Sequence, residues 1–253
     1  MDKKENDDMK KFFMMTIASL FAGAMLLSSC SDDDDKYYYP PSMMRGLVTV
    51  NPVDGGKSFT MRLDSATVLV PQNINMSPYG SKVVRALLDF IPADATQRAD
   101  TVAVNIIRMD SILTKPLAKD LGDQNATTYG TDAVDINLGS WVTIAEDGFL
   151  TLRFNTYWGG QQKHWVNLVA DTNNPYSLTF YHSSNNDQKV YPADGIVAFD
   201  LSSLPDTNGK TVDLTLKWNS FNGERTTTFK YKSKTATTPA MVIGTTLFTL
   251  PIN

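Results

Sequence analysis

The sequence has few of the residues that metal sites and disulfide scaffolds require. Among 253 residues there are one cysteine and two histidines. A disulfide scaffold needs at least two cysteines, and a zinc finger or ribbon needs four closely spaced Cys and His ligands, so both classes are excluded. Glutamate is also scarce, since Asp outnumbers Glu 24 to 3, whereas Thr, Tyr, Phe and Val are frequent. This composition favours strands and turns over helices.

An excess of charge of either sign is missing as well. Without residues 1–29 and the four aspartates of residues 32–35, the chain has 19 basic and 19 acidic side chains. Nucleic-acid binding depends on Lys and Arg displacing counterions from phosphates. A neutral domain therefore argues against a nucleic-acid partner, and against a cationic surface that would bind anionic lipid.

The N-terminal region has the pattern of a signal peptide. Two lysines precede the uncharged residues 12–27, which are mostly Phe, Met, Leu and Ala. As a helix this run would span about 24 Å, less than the ~30 Å bilayer core, so a signal peptide over residues 1–29 is favoured over a permanent membrane span. Acidic residues before Met9 are unusual in such a peptide. We therefore expect translation to start at Met9, with Met1 as the alternative.

The signal region ends in a sequence that resembles a bacterial lipobox, Leu-Ser-Ser-Cys at residues 27–30. In a lipobox the cysteine thiol is acylated and the cysteine becomes the mature N-terminus. Each buried methylene of an acyl chain contributes about 0.8 kcal/mol to membrane binding. We expect lipidation of Cys30 and attachment to the membrane through its acyl chains, with a free cysteine as the alternative.

An acidic run, SDDDDK at residues 31–36, directly follows this cysteine. It resembles the export signal that directs lipoproteins of Bacteroidetes to the outer face of the outer membrane. We therefore expect an outer-membrane lipoprotein that faces the cell exterior; a solvated spacer on a periplasmic lipoprotein is the alternative. Three tyrosines and two prolines continue this segment, so residues 30–44 are predicted to form an extended tether.

The rest of the chain is long enough for two modest domains. The hydrophobic pattern lapses over residues 115–132, which are rich in Gly, Asp, Asn and Thr. We place the boundary there and predict one domain at residues 45–118 and another at residues 130–234.

The first domain has the strand pattern of a small barrel. Phe59, Met61 and Leu63 alternate with polar residues, as in a strand with one buried face. Five strands of this kind fit an OB-like β-barrel, and an open sheet fits almost as well. Residues 82–90 could alternatively form a helix. The predicted strands cover residues 45–50, 58–64, 66–70, 82–91 and 101–109.

The second domain shows more strands with clearer turns. Asp147-Gly148 and Asn222-Gly223 mark two-residue hairpin turns, because these residues tolerate positive φ. Regular strands separated by such turns indicate an immunoglobulin-like antiparallel β-sandwich, so the predicted fold class is all-β. The predicted strands cover residues 141–145, 149–158, 163–170, 176–183, 195–201, 211–221 and 225–232.

Several motifs resemble those of the NigD-like lipoproteins of Bacteroides. They are Trp-Val-Thr-Ile from Trp141, Asp-Gly-Phe-Leu-Thr-Leu from Asp147, the Gly159-Gly160 pair, Tyr-Ser-Leu-Thr-Phe from Tyr176 and Phe-Asp-Leu-Ser from Phe199. The resemblance implies an N-terminal OB-type domain, a C-terminal β-sandwich and a role that is not enzymatic. The family is associated with a bacteriocin operon, which implies an immunity function. The match is looser in the first domain, and residues 235–253 extend past the expected end of the sandwich.

That C-terminal extension has no charged side chain and has high β propensity. On an open sheet edge such a segment would invite pairing with another chain. We expect an added strand that closes a sheet edge; a strand donated to a neighbouring molecule is the alternative.

The chain offers little evidence of catalysis. It has no nucleophile elbow, zinc-protease helix or phosphate-binding glycine loop, and we assign no catalytic residue, cofactor or metal. His164 and His182 lie in predicted strands and could approach each other across a sheet. A metal held by this pair, or calcium in the loops at residues 120–135 and 171–174, is the less favoured reading. A hydrolase would need aspartates that converge in a cleft.

Aromatic side chains are the remaining candidates for function. Flat rings at loop ends can stack on sugars or anchor a protein partner. We expect Trp141 and Trp218 to lie in the core, whereas Trp158 is undecided. The leading hypothesis is a surface lipoprotein that binds a protein ligand, and a glycan ligand is the alternative; the oligomeric state is left open. The candidate binding residues are Tyr157, Trp158, Trp165, His164 and His182.

Overall fold

The computed structural model describes residues 42–94 and 100–234. The expected signal peptide, the start site, the acylated cysteine, most of the tether and the C-terminal extension lie outside these residues. In the described ranges, no helix is long and apolar enough to cross a membrane.

The first domain is a closed five-stranded barrel, as the OB-like prediction requires. Around the barrel the strand order is β1-β2-β3-β5-β4. β3 and β5 are parallel, and the other neighbours are antiparallel. Residues 82–90, for which a helix was the alternative, lie mostly in a strand. The barrel strands are β1 (Met44–Val53), β2 (Ser58–Arg62), β3 (Val68–Pro71), β4 (Val84–Pro92) and β5 (Thr101–Ser111).

Alternating apolar residues fill the barrel interior. Phe59 and Met61 point into the core from β2, and Leu63 packs against it as the period-2 pattern predicts. They meet side chains of every other barrel strand, which explains why the sheet closes on itself. The buried members of this core are Val48, Val50, Phe59, Met61, Leu69, Ala86, Leu88, Phe90, Val104 and Ile106.

The second domain is a β-sandwich. One sheet has the order β10-β11-β13-β14; the other has the order β6-β12-β9-β7, with β8 also paired to β9. A five-residue helix, α1 (Asn125–Tyr129), precedes β7. The strands are β6 (Leu113–Pro116), β7 (Asp135–Ile136), β8 (Ile144–Glu146), β9 (Phe149–Trp158), β10 (Trp165–Ala170), β11 (Ser177–Ser183), β12 (Tyr191–Asp200), β13 (Val212–Ser220) and β14 (Gly223–Tyr231).

The predicted sandwich is confirmed, and most of its strand pairs are antiparallel as expected, but each sheet also contains one parallel pair. β11 and β13 are parallel neighbours, and so are β6 and β12. The chain leaves β11, crosses to β12 in the opposite sheet and returns to β13. Two reversals of direction therefore bring β13 alongside β11 in the same orientation.

The sandwich core confirms one of the two tryptophan predictions. Trp218 is 4% exposed and packs in the core between the sheets. Trp141 is 56% exposed, so its predicted burial is wrong. The strand predicted from residue 141 begins only at Ile144, and Trp141 lies in the preceding turn, where the N–H of Thr143 donates to the carbonyl of Ser140.

The barrel and the sandwich are joined directly and belong to one compact unit. Only Ile112 separates β5 from β6, and it packs with Leu47, Val142 and Ala198 in a small apolar cluster between the domains. Pairing of β6 with β12 assigns residues 113–116 to the sandwich, although the sequence places them in the first domain. Four residues are too short a run for periodicity to reveal their partner.

Candidate functional site

The predicted binding residues gather at the end of the sandwich that lies away from the barrel. There β9 leads into β10, β11 ends before the loop to β12, and a tight turn joins β13 to β14. The strand registers place Tyr191 opposite Trp158 and Ser183 opposite Trp165. We call this surface, comprising residues 157–165, 183–191 and 220–223, the sandwich end.

Exposed aromatic rings are concentrated on the sandwich end. Tyr157 and Trp158 are each 42% exposed, and Trp165 is 49% exposed. The ring of Tyr157 meets Phe221 edge to face, with centroids 5.5 Å apart, and Nζ of Lys163 lies 4.6 Å from the centroid of Trp165. Large apolar side chains that are both exposed and grouped indicate an interaction surface more than single exposed residues do.

A buried carboxylate fixes the β9–β10 loop, which joins the strand ends that carry Tyr157, Trp158 and Trp165. Asp187 accepts hydrogen bonds from four consecutive backbone N–H groups, at 2.8 Å from Gly159 and at 3.2 Å from each of the next three residues. Burial raises the pKa of Asp187, but the N–H groups of Gly159, Gln161 and Gln188 outweigh it and hold the pKa below its ordinary value. The β9–β10 loop is therefore wrapped around one anionic side chain.

The two glycines of this loop are needed for that arrangement. A Cβ on Gly159 would lie 2.6 Å from the carbonyl oxygen of Gln188, and Gly160 has φ of +76°. A side chain at either position would push the main chain away from Asp187 or strain it. Sequence reasoning identified the glycine pair, and Asp187 was noted only as part of the family resemblance; its role was not predicted, because its contacts lie more than twenty residues away along the chain.

His164 and His182 approach each other as the sequence predicts. Nδ1 of His164 lies 3.0 Å from Nε2 of His182. At the other side of His164, Nε2 lies 3.3 Å from Oδ2 of Asp187, and Nδ1 of His182 lies 3.3 Å from the carbonyl oxygen of Asp132. The rings thus form a chain of three polar contacts from the Asp132 main chain to the Asp187 carboxylate.

The position of His182 beneath the surface sets its electrostatics. Burial is the main cause that lowers the pKa of His182; the hydrogen bond to the Asp132 main chain raises it, and the neighbouring His164 lowers it further.

The two histidines therefore differ in what they can offer a ligand. His182 is 2% exposed and packs near Phe154, so it lies beneath the surface and supports His164. The side chain of His164 is 15% exposed. Of the five predicted binding residues, the three aromatic ones are the most accessible.

Aspartates in the two loops considered for calcium accept hydrogen bonds from nearby backbone and side-chain groups. Oδ1 of Asp120 accepts hydrogen bonds from the side chain of Asn125 and the N–H of Gly122, and Oδ2 binds Thr172; together these contacts lower the pKa of Asp120 to about 2. Asp171 accepts from the N–H groups of Asn173 and Asn174. In residues 42–94 and 100–234, no group of three or more His, Cys, Asp or Glu side chains could hold a metal ion.

Comparison with protein families identifies both domains. The NigD-like N-terminal OB domain matches residues 47–112, and the NigD-like C-terminal beta sandwich domain matches residues 116–231. The chain belongs to the NigD-like family. The barrel and the sandwich of this NigD-like protein correspond to those two domains, and the sandwich end lies in the second.

Solved structures with the same fold come from species of Parabacteroides and Bacteroides. A protein of Parabacteroides distasonis ATCC 8503, whose name relates it to a toxin, is 34% identical over 76% of this chain and 94% of its own, with a TM-score of 0.66. A NigD-like immunity protein of Bacteroides caccae ATCC 43185 is 18% identical over 77% and 99%, with a TM-score of 0.55. A protein of Bacteroides fragilis NCTC 9343, whose name suggests a lipoprotein, is 12% identical over 77% and 99%, with a TM-score of 0.50. None of the curated proteins compared with the chain matches it.

Proposed function

We propose that this NigD-like protein is a non-enzymatic, lipid-anchored binding protein of the cell envelope, and that the sandwich end holds its ligand. The observation that carries the proposal is the group of exposed aromatic rings at the strand ends that flank a loop fixed by Asp187. Binding surfaces rely on a few rigid aromatic anchors, because such rings add contact area at little entropic cost.

The geometry suits binding rather than turnover. The carboxylates near the sandwich end are engaged by neighbouring groups, since Asp187 accepts from the β9–β10 loop and Asp132 accepts from the N–H and hydroxyl of Ser184. The names of the related solved structures likewise refer to immunity, a toxin and a lipoprotein, and not to an enzyme.

A protein ligand of the bacteriocin-immunity type is the first form of the proposal. A protein that occupies a toxin, or masks the toxin's receptor, needs affinity alone. The name of the Bacteroides caccae structure supports this form. Deleting the gene should make the cells sensitive to a bacteriocin that the parent strain survives, and unchanged sensitivity to every bacteriocin tested would count against it.

A glycan ligand is the second candidate, and the exposure of the indole rings favours it. Trp158 and Trp165 each expose more than two-fifths of their surface. Sugar rings stack on flat aromatic faces of this kind. Binding to a glycan array that is lost in Trp158→Ala would support this form, whereas an array with no hits would remove it.

The anchor is part of the proposal. Cys30 in its lipobox supplies the acylation site, and the acidic run that follows favours display on the outer face of the outer membrane. The Bacteroides fragilis relative with a lipoprotein name supports the assignment. Intact-mass analysis should show acyl chains on Cys30, and protease treatment of whole cells should release the protein; protection from protease would indicate the periplasmic face.

Affinity capture tests the binding surface directly. The lipidated protein is purified from its native envelope, and the material that co-purifies with the parent is compared with that from Trp158→Ala. Trp141→Ala is the matched control, because Trp141 is an exposed indole outside the sandwich end and next to Val142, which packs against the barrel residue Leu47. Loss of the ligand in Trp158→Ala and retention in Trp141→Ala is the expected result. Equal capture by both variants would place the binding surface elsewhere.

A further inference from the structure

A second concave site lies at the junction of the barrel and the sandwich. A cavity of about 610 Å³ is bounded by the turn after β2, the turn between β8 and β9, and the end of β14. We call it the junction cavity. Its volume lies in the range of about 300–1,000 Å³ that small-molecule sites occupy.

Two buried polar atoms in the cavity lining lack partners. Nη1 of Arg85 donates to the hydroxyl of Thr49 and Nη2 donates to Glu146, but Nε has no hydrogen-bond partner. Oδ1 of Asp147 lies 3.4 Å from Nζ of Lys234, whereas Oδ2 has no partner. Arg85 is 1% exposed. An unpaired buried polar atom costs about 1–3 kcal/mol, so groups that satisfied both atoms would bind favourably.

The lining has more positive than negative charge. Five of its side chains are Lys or Arg and three are Asp or Glu. Lys230 is engaged by Asp213 outside the cavity, and no ion pair within the described residues engages Lys232. Lys232 and the unpaired Nε of Arg85 therefore favour an anionic group, whereas the unpaired Oδ2 of Asp147 requires a hydrogen-bond donor.

We propose that the junction cavity binds an acidic saccharide of one or two rings. A uronic acid carries a carboxylate, which accepts hydrogen bonds from Arg85 and Lys232, and hydroxyl groups, one of which donates to Oδ2 of Asp147. A simple carboxylate would leave Asp147 without a donor, and a phosphate dianion, which has only one hydroxyl, would set its two negative charges against the three acidic residues of the lining. The ligand must carry both an anionic group and a hydrogen-bond donor. This site is independent of the sandwich end.

Titration calorimetry of the full-length protein tests the proposal with digalacturonate and glucuronate as probes. Galactose is the neutral control, and acetate and inorganic phosphate are the simple anions. At least one acidic sugar should bind, and the controls should bind at least about tenfold more weakly. No heat from either acidic sugar up to about 10 mM, or equal binding of acetate or phosphate, would overturn the proposal.

Variants locate the site. Lys232→Ala should weaken binding of the acidic sugar about tenfold, because it removes a charged contact from an exposed side chain. Lys217→Ala, an exposed lysine on β13 outside the cavity, is the matched control and should bind as the parent does. Asp147→Asn adds a second test, since Asn also tolerates the positive φ of this residue, +49°. Parent-like affinity in both Lys232→Ala and Asp147→Asn would refute the assignment.

The proposals for the sandwich end and for the junction cavity can be refuted separately. Trp158→Ala should leave acidic-sugar binding unchanged if the junction cavity is the site. Loss of acidic-sugar binding in Trp158→Ala, with parent-like binding in Lys232→Ala, would place that sugar on the sandwich end instead and would overturn the junction-cavity proposal alone.

Discussion

Trp158 and Tyr191 pack edge to face across neighbouring strands, with ring centroids 6.1 Å apart and ring planes at 77°. The two residues are direct partners in the register of β9 and β12. Trp158 is 42% exposed and Tyr191 is 45% exposed, so each ring supports the other while both remain accessible. A ring held in this way loses little further freedom when a ligand covers it, which is what a binding anchor requires.

The exposure of Trp158 predicts that its removal affects stability far less than removal of a core tryptophan. Trp158→Ala loses an edge contact and should lower the free energy of unfolding by about 1 kcal/mol. Trp218→Ala would leave a large hole between the sheets and should cost about 3–5 kcal/mol. Urea unfolding followed by circular dichroism measures both. A similar loss in the two variants would show that Trp158 belongs to the core.

Asp187 should control the order of the β9–β10 loop. Asp187→Asn replaces one acceptor oxygen with an amide that faces backbone N–H groups, so the amides of residues 159–162 should exchange with solvent at least about tenfold faster. Hydrogen exchange monitored by NMR or mass spectrometry reports this locally. The control is Asp194→Asn, which alters an exposed ion pair with Arg153. Unchanged protection of the loop in Asp187→Asn would contradict the role assigned to the carboxylate.

His182 should make the protein less stable in mild acid. Burial, aided by the neighbouring His164, lowers the folded-state pKa of His182, whereas the unfolded chain has a pKa of about 6.5. Below pH ~6.5 the unfolded state therefore takes up a proton that the folded state does not. The stabilising contribution is fully present above that pH and is lost as the pH falls, by about 1 kcal/mol between pH 7 and pH 5.

His182→Gln tests this pH dependence. The variant has no group that titrates at this position, so it should be less stable at pH 7 but should lose less on acidification to pH 5. The carboxylates titrate mainly at lower pH and contribute little in this window. Urea unfolding at pH 7, 6 and 5 gives the comparison. A parent protein whose stability is constant or rises from pH 7 to pH 5 would rule out the explanation.

Arg85 and Glu146 form an ion pair that joins the barrel to the sandwich. The side chain of Arg85 is 1% exposed and that of Glu146 is 26% exposed. Glu146→Ala leaves a buried charge without its partner and should cost about 3 kcal/mol. Replacing both, as in Arg85→Met with Glu146→Leu, should recover much of that loss. Chemical unfolding of the two variants measures the difference.

An exposed ion pair is the control for this prediction. Arg153 and Asp194 are each about 40% exposed on the surface of the sandwich. Asp194→Ala should therefore cost less than about 1 kcal/mol. If Glu146→Ala lowered the free energy of unfolding as little as Asp194→Ala does, the stability of the junction between the barrel and the sandwich would not depend on an ion-pair partner for Arg85.

Local patterns made much of the fold predictable. The alternation in β2 correctly predicted that Phe59 and Met61 lie inside the barrel. The turn residues on either side of β9 correctly predicted the first and last residues of that strand. The approach of His164 and His182 was also predictable, because His182 lies in β11 and His164 directly precedes the neighbouring strand β10. These features depend on contacts within a strand or between two strands with strong signals.

Features that depend on distant partners were not predictable. Asp187 is one aspartate among many, and nothing near it in the chain marks the loop that it organises. The pairing of β6 with β12 and of Arg85 with Glu146 joins segments more than sixty residues apart. Trp141 was misplaced for a related reason, since its apolar character resembles that of a strand residue although the backbone turns there.

The parallel pairing of β6 has a practical consequence for dividing the chain. The family's sandwich match begins at residue 116, whereas β6 begins at Leu113 and covers the edge of β12. A truncation that starts at residue 116 would strip that edge and expose a row of unpaired amide and carbonyl groups, which favours aggregation. A fragment that starts at Ile112 keeps the whole of β6, so a sandwich fragment should begin at this linking residue rather than at the limit of sequence similarity.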